Sequence, residues 1–182
     1  AGVRKGMLLD TARRMCPDVR VHTPQPRLYD RAYTVMCDEA SRLSPRVEPA
    51  GPGHLFVDLS GTGRLWGNPL DSGHRLRRTI REKLRFDAAV GVASNKLVSK
   101  VATRVIKPTG LCRIVEGCEE EFLAPLPVSL LPGVEPDVIA HITQFNIQKI
   151  KDLALISERR LAQVFGRQAP DIHRRARAVD TT

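Results

Sequence analysis

Aromatic side chains make up only 4% of the 182 residues, so the core has to be built from Leu, Val, Ile and Ala. Long apolar runs are missing as well. None approaches the about 18 residues that a membrane-spanning helix needs, and the first residues carry no signal-peptide pattern. Both absences predict a cytoplasmic protein with no membrane partner. The four cysteines, Cys16, Cys37, Cys112 and Cys118, show neither C-x-x-C spacing nor a paired histidine motif, which argues against a zinc site or a disulfide frame and for reduced thiols. There is no low-complexity segment and no long internal repeat. The chain starts at Ala1 without methionine, in the middle of a motif, which is the expectation for a fragment.

What is present is positive charge. Lys and Arg outnumber Asp and Glu to give a net charge of +9, which favours a polyanionic partner. A hydrophobic share of 42% is ordinary for a globular chain, and this length buries one good core or one core plus a small satellite.

Periodicity organises the chain. Leu8, Leu9, Ala12 and Met15 share one helical face, with Pro17 closing the helix, and "VRVHTP" reads as a short strand. Apolar residues recur every three or four positions from Leu28 to Leu43. In "HLFVDLSG", Leu55, Val57 and Leu59 alternate with His54, Phe56 and Asp58, the pattern of a half-buried strand. A basic helix over Pro69 to Leu84, a strand in "AAVGVAS", a helix from Asn95 to about Ile106 and a short strand in "LCRIVEG" follow. This alternation predicts an α/β layer. The proline-rich "FLAPLPVSLLPGVEP" marks a boundary, and beyond it the pattern is of short helices: Asp137 to Phe145, Ile150 to Leu155, Glu158 to Phe165 and Pro170 to Val179. Asn146 suits a left-handed cap after the first of them.

Four blocks carry a family resemblance. "GVRKGMLLDTARRMCPD", "RVEPAGPGHLFVDLSG", "VGVASNKLVSKVATRVIKPTG" and "FLAPLPVSLLPGV" occur in the order found in Y-family translesion DNA polymerases of the DinB-like group. They resemble, in turn, the end of the fingers, the central palm strand, the palm segment entering the thumb, and the thumb entrance. The resemblance covers nearly the whole chain and implies an α/β (α+β) palm followed by an all-helical, helix–hairpin–helix thumb. The implied division is a fingers remnant at 1–24, palm at 25–108, connector at 109–124 and thumb at 125–182. The family's first strand, with a metal-binding aspartate, and its nucleotide-facing Tyr/Arg pair precede the first block. The little finger follows the thumb. All of these lie outside this sequence.

The central strand departs from the family. Active members read approximately "LSLDEAFL" where this chain reads "AGPGHLFV", so the metal-binding Asp falls on Gly53 and its Glu neighbour on His54. Two-metal phosphoryl transfer uses oxygen ligands that hold Mg²⁺ and neutralise the triphosphate. Glycine has no side chain, and imidazole is a poor ligand for a hard ion. No metal ligand or catalytic residue is therefore assigned, and no cofactor is expected in this chain, although active members use Mg²⁺. Asp58 is expected to make a structural hydrogen bond, in a strand placed centrally in its sheet. Such losses resemble ImuB-type accessory proteins, while "NKLVSKVATRVIKPTG" stays closer to the DinB type.

The resemblance also indicates phosphate contacts. Lys107, in "KPTG", matches a lysine that contacts the incoming triphosphate; the alternative is an exposed lysine favoured by the helix dipole. Lys96 and Lys100 lie four apart on one face, and His54 reads as a solvent-facing strand residue without a partner. Gly133 and Val134 stand in the first hairpin turn, where backbone N–H groups can approach a DNA phosphate, although Glu135 replaces the usual second glycine. Gly166, Arg167, Arg174, Arg175 and Arg177 form a second turn and a basic helix, readable as a DNA contact or as a solvated charged face. These readings predict a DNA-repair or mutagenesis protein that binds primer-template phosphates non-specifically without adding nucleotides. Its partners would be an active polymerase, a sliding clamp or a recombinase. The alternatives are a working translesion polymerase represented by a fragment, and an interaction scaffold without DNA binding.

Overall fold

Helix starts follow local chemistry. In the computed structural model, which describes residues 2–4 and 6–181, Pro26 opens α2 (Pro26–Ser41), where its missing N–H costs nothing. Asn68 caps α4 (Pro69–Leu84) by accepting from Leu70 N at 3.0 Å. Asn95 caps α5 (Lys96–Ile106) by accepting from Val98 N at 2.9 Å. The short α1 (Leu9–Met15) precedes them, and α3 (Gly63–Trp66) is a single turn leading into α4.

Among the described residues the strands form two separate two-stranded sheets. β1 (Val47–Pro49) pairs antiparallel with β2 (Leu55–Val57), placing Glu48 opposite Phe56. β3 (Ala89–Val92) pairs in parallel with β4 (Gly110–Arg113) across the α5 crossover. The central placement predicted for the strand at His54–Leu59 is thus corrected: among the described residues β2 is bonded to β1 alone. "VRVHTP" is coil, not strand, because among the described residues no neighbouring strand offers it a ladder. The apolar face of α1 also stays largely uncovered. Ala12 is buried, but Leu8, Leu9 and Met15 are exposed.

Two apolar clusters hold the rest. In the first, Ala40 of α2 and Leu43 just after it meet Leu76 and Ile80 of α4, and the predicted inner face of the strand, Leu55, Val57 and Leu59, packs on them. The second joins Leu97, Val98, Val101 and Ala102 of α5 to the C-terminal helices through Leu123, Ile142, Ile150, Leu153, Leu161 and Ile172. Those helices are α6 (Glu119–Leu123), α7 (Pro136–Gln144), α8 (Ile150–Ala154), α9 (Glu158–Phe165) and α10 (Ala169–Ala176). Asn146 follows α7 with φ +61°, as its left-handed tolerance predicts. The proline-rich stretch contributes buried Leu123, Val128 and Leu131, so it is part of the second core. Among the described residues no helix is long and apolar enough to cross a membrane.

Three long-range ties position α4 and α5. Glu39, 7% exposed, bridges from α2 to Lys83 on α4 and also meets Arg42 at 3.5 Å. α5 lies so close over β3 that a Cβ on Gly91 would come within 2.2 Å of the Ser99 carbonyl oxygen. The first turn of α5 is capped from the far end of the chain. Asp180 Oδ2 accepts from Leu97 N at 2.7 Å, and Asn95 Nδ2 donates to the Ala178 carbonyl at 3.0 Å.

Candidate functional site

A tight turn delivers the chain into β2. His54 N donates to Gly51 O and Ala50 N donates to His54 O, both at 2.9 Å, with Gly51 and Gly53 at φ +109° and +71°. Gly53 therefore lacks a side chain and also sits in a backbone region that L side chains avoid. The Tyr33 hydroxyl donates to the His54 carbonyl at 2.8 Å, fixing the turn against α2.

His54 is half-buried and has partners, which corrects its reading as a lone solvent-facing residue. Its ring meets Phe56 edge-on at 4.9 Å, and its Nδ1 lies 3.4 Å from Lys100 Nζ. An ammonium can only donate, so Nδ1 is the acceptor and Nε2 carries the ring proton. Burial, then the Lys100 charge, push the imidazole pKa down, keeping the neutral form. Lys96 and Lys100 each lie 5.8 Å from the Phe56 ring centre. Lys96 also pairs with Glu48 at 2.9 Å.

Along α5 the residues Lys96, Lys100 and Arg104, with Lys107 just past its end, follow spacings that bring them to one side of the helix. Burial, then Arg104 and Lys107, lower the Lys100 pKa. Arg104 donates to the Leu130 carbonyl at 2.8 Å, and Lys107 is exposed. Lys96, Lys100, His54 and Phe56 line part of a cavity of ≈ 1120 Å³ between the two sheets.

Asp58, the remaining strand acid, is structural as expected. Its Oδ1 accepts from Ser60 N at 2.8 Å and its Oδ2 from Arg46 at 3.0 Å. Ser60 first and Arg46 second hold its pKa down at about 2. These residues do not fit a divalent cation. Gly53 offers no side-chain donor atom, the His54 Nδ1 lone pair faces an ammonium, and Asp58 is committed to Arg46 and Ser60. Among the described residues no three His, Cys, Asp or Glu side chains gather as a metal site.

The helical half places the other predicted contacts unevenly. Gly133 has φ +73°, and Arg175 is folded beneath it, its guanidinium within 2.6 Å of where a Cβ would stand. Arg175 also donates to the Pro132 carbonyl at 3.2 Å, so it supports the turn from inside. Val134 packs on the second core. Gly166 ends α9 with its N–H bonded to Ala162 O, and Arg167 beside it is exposed. Arg174 pairs with Asp171, while Arg177 is exposed.

This geometry has relatives. The family model described as "impB/mucB/samB family" matches residues 1–104. The chain belongs to that family. Among curated relatives of this impB/mucB/samB chain, DNA polymerase IV of Desulfatibacillum aliphaticivorans is 33% identical over 98% of the chain and 45% of the relative. DNA polymerase IV of Caulobacter vibrioides is 30% identical over 100% of the chain and 45% of the relative. The chain thus spans less than half the length of these proteins. Of solved structures, DinB from Sulfolobus solfataricus superposes with a TM-score of 0.85 at 22% identity, over 97% of this chain and 52% of that one. An insertion ternary complex of Dbh DNA polymerase gives 0.84 at 22%, over 100% and 53%. These likenesses support the Y-family resemblance and a mixed fold of helices and small sheets.

Sequence reasoning missed the bond between His54 and Lys100, the Glu48–Lys96 pair and the internal role of Arg175. The spacing of cations along α5 was an available signal. The position of His54 opposite that row was not, because the two lie 46 residues apart.

Proposed function

We propose that this chain is the palm and thumb part, with a fingers remnant, of a DNA-repair or mutagenesis protein of the Y-family type, one that binds DNA phosphates non-specifically without nucleotidyl transfer. One observation carries the reading: where active members hold paired carboxylates, this chain has a side-chain-free turn at Gly53 and an imidazole facing Lys100. A site that gathers cations repels Mg²⁺ and attracts phosphate. The division at 25–108 and 125–182, with a connector at 109–124, fits this reading, as do helix–hairpin–helix turns at Gly133–Val134 and Gly166–Arg167. Arg167 and Arg177 would supply exposed charge to DNA. Arg174 and Arg175, held by Asp171 and Pro132, would position the turns. An accessory of this kind would act beside an active polymerase, a sliding clamp or a recombinase. The single triphosphate candidate of the family pattern is Lys107.

Primer extension tests it. This chain is expected to add no nucleotide with Mg²⁺ or Mn²⁺, and template-directed incorporation would overturn the reading. The second reading, a working translesion polymerase, is favoured by the relatives named DNA polymerase IV and gains first place on that outcome.

A further inference from the structure

We propose that Lys96, Lys100 and His54, grouped around Phe56, form a phosphate-binding site that works without a divalent cation. The inference rests on the reading that this chain has no metal-binding carboxylates over β2, and it adds what replaces them. Three observations converge on it.

The donors point one way in chemistry. Lys100 gives one N–H to His54 Nδ1, which leaves the imidazole its Nε2–H and the ammonium its other protons. Every group of this trio is then a donor. The charge is also uncompensated. Among the described residues Lys100, Arg104 and Lys107 have no carboxylate partner, and burial with those two cations holds the Lys100 ammonium below its usual pKa. A bound phosphate would relieve this repulsion. Finally, the trio borders the ≈ 1120 Å³ cavity between the sheets, so a ligand has room. Glu48 is the only acid paired to the trio among the described residues, bonded to Lys96 at 2.9 Å, and an arriving phosphate would have to compete with it.

Phosphate oxygens could come from a free polyphosphate or from a DNA backbone, and the experiment separates them. Inorganic tripolyphosphate and a short DNA duplex are each titrated into the full chain by calorimetry at low salt, in EDTA and in excess Mg²⁺. Binding in EDTA is expected, weakened by Mg²⁺, which competes for phosphate oxygens. Lys100→Ala should weaken binding about tenfold or more, as loss of a charge-assisted hydrogen bond does. Glu48→Gln should tighten it by freeing Lys96, an effect that generic loss of stability would not produce, and thermal melts check the fold of each variant. If only the duplex binds and responds to Lys100→Ala, the ligand is backbone phosphate; if tripolyphosphate does, it is the free anion. No binding of either ligand, or binding indifferent to Lys100→Ala and Lys96→Ala, overturns the proposal while leaving the absence of primer extension intact. Binding that requires Mg²⁺, together with extension, overturns the proposed function as well.

Discussion

At the scale of single residues, Asp58 and Gly91 differ in how much change the fold tolerates. The Asp58 carboxylate is held at a pKa of about 2 against the usual 3.8, by Ser60 and Arg46. A depressed carboxylate contributes stability that is present above its unfolded pKa and lost as pH falls through the folded one. The stability gap between wild type and Asp58→Asn, read from urea melts, should therefore be full above pH 3.8 and close as pH falls toward about 2. With 41% of the side chain exposed, solvent keeps that gap small. An unchanged gap across this window would mean the hydrogen bonds do not form in solution. Gly91→Ala should be far more damaging, because the new Cβ would meet the Ser99 carbonyl at 2.2 Å, a backbone atom that cannot rotate away. Overpacking typically costs about 1–3 kcal/mol, and this substitution should reach or exceed that range in denaturant midpoint measurements. The residue scale also explains why restoring acids should not restore chemistry. At φ +71°, Gly53→Asp meets backbone strain as well as an electropositive neighbourhood. The double variant with His54→Glu is expected to remain inactive in primer extension.

Elements are joined by a few polar ties across otherwise apolar packing. Glu39 is buried and reaches from α2 to Lys83 on α4. Lys83→Ala should cost about 1–3 kcal/mol, because it leaves the buried Glu39 carboxylate with only the Arg42 contact at 3.5 Å, with Glu39→Ala costing less because the half-exposed Lys83 ammonium it leaves behind can turn to water. Equal, negligible effects in thermal melts would mean that the tie contributes nothing to stability. The N-terminus of α5 depends on the chain's far end through Asp180 and Asn95. Asp180→Ala should lower stability by about 1 kcal/mol, the usual worth of a helix-end cap. It should also raise amide exchange at Leu97. Much of this scale is legible in the sequence. α4 and α9 stand where the local pattern predicts them, at Pro69–Leu84 and Glu158–Phe165, and α5 starts one residue past Asn95. The sheet is not. A strand's partner is chosen by distant residues, so "VRVHTP" has β-like composition without a ladder, and β2 has one neighbour where a central position was expected.

For the whole molecule the net charge of +9 is the widest lever. If the helical half neutralises about two to four phosphates, log K for duplex DNA should fall with log salt at a slope of roughly −2 to −4. Phosphate contacts give affinity and register without sequence preference. Removing exposed Arg167 and Arg177 should flatten the slope by about one for each phosphate that is no longer neutralised. Arg175→Ala should instead lower stability, since Arg175 lies inside the Gly133 turn. The opposite assignment, with Arg175 carrying the salt dependence, would place the DNA contact on the turn itself. No slope at all would leave the interaction-scaffold reading in front.

The sequence by itself determined the longer helices, the left-handed residue after α7, the strand at Leu55–Val57 and the family, because each depends on residues within a few positions of one another or on the order of local blocks. Only the tertiary structure decided what the departures mean. It set His54 against Lys100 across 46 residues, Arg175 beneath the Pro132–Gly133 turn across 43, and Asp180 on the first turn of α5 across 83. Local pattern specifies which face of an element is apolar. Which distant charge that element meets depends on how the layers pack, and here packing brought Lys100 of α5 against His54 just before β2.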